Sequence, residues 1–169
     1  LCLKKHQDLK NTYVICQKVV TEGLMERPVI LMIDDDAEDQ RLVQQAVSDI
    51  NHNCRFVALT DGRALDQYML NQPPYDNKKR YPKPDLVLLD IYMSAIDGWQ
   101  CLRQLKASKE HASIPTIIYS ASSDSLDPPV AYASGANAYI RKPDNYPEIV
   151  DVMRAVFGYW LCVVEGIHD

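Results

Sequence analysis

No stretch of this 169-residue chain approaches the ~20 consecutive apolar residues that a membrane-crossing helix requires, so no membrane partner is expected. Positive charge is in short supply as well. There are 18 Lys and Arg against 23 Asp and Glu, a net charge of −5, whereas nucleic-acid binding calls for a basic stripe or patch. No nucleic-acid partner is expected either. The five cysteines stand at 2, 16, 54, 101 and 162, an odd number without a C-x-x-C pair, and the four histidines are scattered at 6, 52, 111 and 168. That pattern argues against a zinc site or a disulfide framework and fits a reducing, cytoplasmic location. Residues 1–24 lack the apolar core and small-residue cleavage site of a signal peptide. The first methionine is Met25. Residues 1–27 are expected to be an N-terminal extension, disordered or non-native, ahead of one domain spanning 28–165.

What the chain does contain is alternation. Val29-Ile30-Leu31-Met32-Ile33 is a short apolar run suited to a strand covered on both faces. Leu42, Val43, Ala46, Val47 and Ile50 then recur at helical spacing. The pattern repeats: Arg55 to Leu59 reads as a strand and Ala64 to Met69 as a helix. A stretch with three prolines and four basic residues runs from Gln72 to Lys83, expected to be a solvated connection longer than usual. Asp85 to Asp90 reads as a third strand and Trp99 to Leu105 as a helix. Pro115 to Tyr119 forms a fourth strand, a weak helix lies near Val130 to Ala133, and Gly135 is placed to stop it. Ala138 to Ile140 is the fifth strand, and a last helix begins near Tyr146. This alternation predicts an α/β fold: a doubly wound, five-stranded parallel sheet in order 2-1-3-4-5, helices on both faces, flavodoxin-like.

In such a sheet the strand carboxyl ends gather along one edge, where ligands bind. Here those ends are Asp34-Asp35-Asp36, Asp90, Ser120 and Lys142. Crowded acids repel unless a cation neutralises them, and all-oxygen ligation points to a hard ion, Mg²⁺ first. Ser120 can donate a hydrogen bond to a phosphate, and Lys142 adds positive charge. Together with the metal it would stabilise the charge that builds during phosphoryl transfer. Taken singly, each feature has an ordinary reading. An acid after a strand is usually a turn former or helix cap, and Asp36 is expected to be a helix N-terminal residue rather than a ligand. The ordered placement at the ends of strands one, three, four and five is what favours a common site.

The pieces Ile33-Asp34-Asp35-Asp36, Leu88-Leu89-Asp90-Ile91-Tyr92-Met93 with Asp97-Gly98, Ile114 to Ala121, and Gly135 to Pro143 resemble, as a set, the CheY-like receiver domain of two-component signalling. The resemblance implies that Asp90 accepts the phosphoryl group. It implies that Asp35, Asp90 and the backbone carbonyl of Tyr92 ligate Mg²⁺ directly, with Asp34 acting through water. Ser120 is similar to the family's switch hydroxyl, Lys142 to its phosphate-contacting lysine, and Tyr139 to the aromatic that swings inward. The Lys142-Pro143 bond would be cis. The long connection and the tail from Phe157 to Leu161 resemble stand-alone regulators paired with bacterial phytochrome kinases. With the chain ending at residue 169, no output domain is expected. The implied partners are a sensor histidine kinase or phosphotransfer protein and a downstream protein target, and the chain is expected to be a signalling protein rather than an enzyme. The terminal apolar stripe of Phe157, Trp160, Leu161, Val163 and Val164 suits either packing on its own sheet or a homodimer through the C-terminal helix.

Three features depart from the family pattern. Pro128 and Pro129 fall where the fourth helix should begin, so that helix is expected to be short or to start late. The loop after Asp90 has Met93-Ser94-Ala95-Ile96 where a proline is usual. Tyr92 puts a bulky ring beside Asp90, where it is expected to shield the phosphate from water. Three other functions compete. A haloacid-dehalogenase-type phosphatase needs an acid at position 92, which is Tyr. A flavin or nucleotide module needs a glycine- or hydroxyl-rich loop after strand one, where the acids stand. A pseudo-receiver would have lost its chemical residues, which here look intact.

Overall fold

The computed structural model describes residues 27–50, 53–94 and 97–161. The extension before residue 27 and the end of the expected domain, 162–165, lie outside them. The elements run β1 (Val29–Ile33), α1 (Ala37–Asp49), β2 (Arg55–Leu59), α2 (Arg63–Met69), β3 (Leu86–Leu89), α3 (Gly98–Ala107), β4 (Thr116–Ser120), α4 (Asp127–Ala133), β5 (Ala138–Arg141) and α5 (Tyr146–Trp160). All strand pairs are parallel, in the order β2-β1-β3-β4-β5, as the alternating pattern predicted.

Strand periodicity divides the apolar residues between two cores. On one face Ile30, Met32, Leu86, Leu88 and Ile117 meet Val43, Ala46 and Val47 of α1 and Ile149, Met153, Val156 and Phe157 of α5. On the other, Leu31, Ile33, Val87, Leu89 and Ile118 meet Leu65 and Tyr68 of α2, Leu102 and Leu105 of α3, and Ala131 of α4. Every residue of β1, β3 and β4 is buried, which explains why these strands read as unbroken apolar runs.

Caps fix where the helices begin. Asp36 starts α1 by accepting from the N–H groups of Glu38 and Asp39, so it is the expected cap. Asp97 caps α3 and Asn145 caps α5 in the same manner. The prolines sit in the first turn of α4, where the missing N–H costs nothing. That helix has only seven residues, short as expected.

Two expectations need correction. The connection before β3 is not simply solvated. Tyr75 and Tyr81 pack on Tyr68 at ring-centroid distances of 5.4 and 6.0 Å, and the Tyr68 hydroxyl donates to Pro82 O at 2.7 Å. Apolar rings interleaved among the lysines give this loop its own anchor. The Lys142-Pro143 bond is trans, since among the described residues only Pro73-Pro74 is cis; trans is the form an X-Pro bond prefers by about 0.5–1 kcal/mol. The terminal stripe is spent partly on the molecule's own core, where Phe157 and Leu161 are buried. Val163 and Val164 lie outside the described residues. Among the described residues no helix is long and apolar enough to cross a membrane.

Candidate functional site

Sheet register sets the site. Ile33 of β1 lies opposite Leu89 of β3, so the next residues, Asp34 and Asp90, stand side by side. The Asp34 N–H donates to Leu59 O at 3.0 Å and the Asp90 N–H to Ile33 O at 2.9 Å, continuing the ladders into the loops. Ser120 ends β4 opposite Arg141 of β5. Lys142 follows, its N–H donating to Ser120 O at 2.8 Å. Four strand ends thus deliver four side chains to one edge.

Their hydrogen bonds converge on Asp90. Its Oδ1 accepts from Ser120 Oγ at 2.7 Å and from the Tyr92 N–H at 3.1 Å. Its Oδ2 accepts from Lys142 Nζ at 2.9 Å. The same ammonium lies 2.7 Å from Asp39 Oδ2 and 2.8 Å from Asp34 Oδ2. Asp34 and Ser120 are fully buried, and Asp90 is 7% exposed.

Burial and charge compete here. Burial pushes the Asp34 carboxyl up to about 6, against the pull of Lys142. Burial also opposes the Lys142 charge, but hydrogen bonds to Asp39 and Asp90 and the close carboxylate of Asp34 outweigh it and hold the ammonium above its ordinary value. Asp34 Oδ1 accepts from the Asp36 N–H at 2.9 Å. Its Oδ2 is buried without a hydrogen bond, because the nearby ammonium is close but out of line.

An orphaned carboxylate oxygen beside a second carboxylate is what a hard cation would satisfy, so the chemistry of Asp34 and Asp90 fits a divalent ion. The ligands do not yet converge. Among the described residues no cluster of three His, Cys, Asp or Glu side chains stands ready for a metal. Asp35 instead accepts from the Ser94 N–H at 2.7 Å, and that bond holds its carboxyl below the usual range.

Tyr92 and Tyr139 meet elsewhere. The Tyr92 hydroxyl is shared between Asp127 Oδ1 at 3.0 Å and Oδ2 at 3.1 Å, although Tyr92 as a whole is 56% exposed. The Tyr139 hydroxyl lies 3.5 Å from Asp127 Oδ2. Asp39 and Asp127 were not among the residues expected at the site from the sequence. Asp39 could have been found as the acid three residues beyond the cap, one helical turn along and facing the site. Nothing in the local pattern around Asp127 singles it out.

The family profile "Response regulator receiver domain" matches residues 30–154. Response regulator Rcp1 of Synechocystis sp. is 28% identical over 133 residues, 79% of this chain and 88% of Rcp1. Among solved structures, the phosphorylated cyanobacterial phytochrome response regulator RcpA superposes with a TM-score of 0.75 at 26% identity, covering 82% of this chain and 96% of that one. The Mn²⁺-bound form of Rcp1 gives 0.73 at 28% identity, covering 81% and 96%. With its sheet order and strand-end acids already in place, the chain belongs to the response regulator receiver domains, the CheY-like family of two-component signalling.

Proposed function

We propose that residues 28–165 form a single-domain response regulator that accepts a phosphoryl group on Asp90 from a sensor histidine kinase or phosphotransfer protein. One observation supports this most: the Asp90 carboxylate is gripped by Ser120 Oγ on one oxygen and Lys142 Nζ on the other. A hydroxyl and an ammonium are the donors that an aspartyl phosphate would need in the same place. Asp34, Asp35, Asp90 and the Tyr92 carbonyl would hold Mg²⁺, which when bound neutralises the carboxylates and the incoming phosphate. Asp34, Asp35, Asp39 and Asp90 share one ammonium, Lys142, a charge deficit that a divalent ion narrows.

An Asp90 oxygen bonds to phosphorus as the N–P bond of phosphohistidine breaks. Lys142 exchanges carboxylate oxygens for phosphate oxygens and keeps its charge throughout. Ser120 Oγ turns from the Asp90 oxygen to the phosphate, and Tyr139 follows it inward. The face of α4, β5 and α5, where Val130, Tyr132 and Tyr159 are exposed, then presents a changed surface to a downstream protein. A homodimer through α5 belongs to the same reading. Acetyl phosphate with Mg²⁺ should add one phosphoryl group, located at Asp90 by tandem mass spectrometry, and none in Asp90→Asn or with EDTA. Modification that persists in Asp90→Asn, or none in the parent, would overturn the assignment.

A further inference from the structure

Beside the strand-end site lies a second polar cluster. Its centre is Asp127, 6% exposed at the start of α4. A buried carboxylate is costly unless hydrogen-bonded, and this one faces hydroxyls from the loops after β3 and β4 and from β5. The Tyr92 hydroxyl reaches both its oxygens at 3.0 and 3.1 Å. Ser122 Oγ donates at 2.5 Å, and the Tyr139 hydroxyl stands at 3.5 Å. Two of these donors are each two residues beyond a residue of the first site: Tyr92 after Asp90, Ser122 after Ser120. The Tyr92 residue is therefore held at both ends, its N–H on Asp90 Oδ1 at 3.1 Å and its hydroxyl on α4. Its ring spans the gap between them.

We infer that Asp127 is a positioning residue that, by fixing the Tyr92 hydroxyl, keeps the ring across the approach to Asp90 and sets how slowly water removes the phosphoryl group. This rests on Asp90 being the phosphorylated residue. In the reaction concerned, a water oxygen bonds to phosphorus while the P–O bond to Asp90 breaks. Asp90 leaves as carboxylate, and the water's protons go to inorganic phosphate and solvent. Asp127 touches none of these atoms; it acts through Tyr92. Because the same carboxylate also meets Tyr139 and begins α4, the lifetime of the phosphate and the placement of α4 share one node.

The test loads the full chain with acetyl phosphate and Mg²⁺, removes the donor, and follows loss of the phosphoryl mass from Asp90. Tyr92→Phe keeps the ring and removes only the hydroxyl. It should speed decay about five- to tenfold, the scale of one ordinary net hydrogen bond, with a melting temperature lowered by no more than a few degrees. Asp127→Ala should match it, and the double variant should decay no faster than either single one. Should Asp127→Ala fail to fold, Tyr92→Phe alone decides. Parental decay in Tyr92→Phe, or multiplied effects in the double variant, would overturn this role while leaving Asp90 as acceptor. A parent that never loads at Asp90 would overturn both.

Discussion

At the scale of single residues, an ammonium facing three carboxylates within 2.9 Å leaves its neighbours short of compensation, and Asp34 bears most of that cost. Its carboxyl is raised well above the ordinary carboxylate range, to about 6, chiefly by burial. The folded state therefore holds this proton more tightly than the unfolded chain does. The contribution of Asp34 to stability declines as pH rises from about 4 to about 6 and stays lost above that window. Asp34→Asn should remove the decline and raise metal-free stability at pH 7 by on the order of 1–2 kcal/mol, since it also gives up the Lys142 attraction. Chemical denaturation across pH 4–8 measures it, and a parental pH profile in the variant would count against the assignment. Such a gain from deleting a site residue is the usual sign of stability given up for function. Asp34, Asp90, Ser120 and Lys142 were legible because strand ends announce themselves by an abrupt change from apolar to polar. Asp39 carries a fainter signal, one helical turn beyond the cap, masked because an acid in a first helical turn has an ordinary reading as a partner of the helix dipole.

At the scale of elements, the loop after β3 and the start of α3 are packed without slack. A Cβ on Gly98 would lie 2.1 Å from Asp90 O and 2.6 Å from Ile91 Cα, both backbone atoms, and the Gly98 N–H donates to Ile91 O at 3.1 Å. Gly98→Ala should destabilise the fold by about 2 kcal/mol or more and displace the Asp90 carboxylate. Thermal melts together with the extent of phosphorylation check both effects, and wild-type behaviour in each would refute the close approach. The Asp97-Gly98 pair was visible in the sequence as part of a motif, but the reason for glycine was not. That reason is a contact between backbone segments seven or eight residues apart, which no local pattern encodes. Helix α4 shows the reverse case, since two adjacent prolines state directly that the helix is short. Its link to the site through Asp127 depends on hydroxyls from two loops and a strand and could emerge only in three dimensions.

At the scale of the molecule, the two cores are built independently on opposite faces of the sheet, and the candidate site lies on the edge they share. The strand order could be read from alternation because parallel strands need crossovers, and short crossovers leave few topologies. The aromatic anchor of the long connection could not be so read, since Tyr68, Tyr75 and Tyr81 meet across a loop rather than along a period. What this architecture does for function is bring side chains from β1, β3, β4 and β5 to one point, with Lys142 at its centre. A structure of the protein with Mg²⁺ and beryllofluoride, a tetrahedral stand-in for the phosphoryl group, tests that claim most directly. Beryllium is expected on an Asp90 carboxylate oxygen, with Ser120 Oγ and Lys142 Nζ both about 3 Å from its fluorines and Asp34 released from the ammonium. Beryllium on another carboxylate, or Lys142 still bound to Asp34 and Asp39, would contradict it.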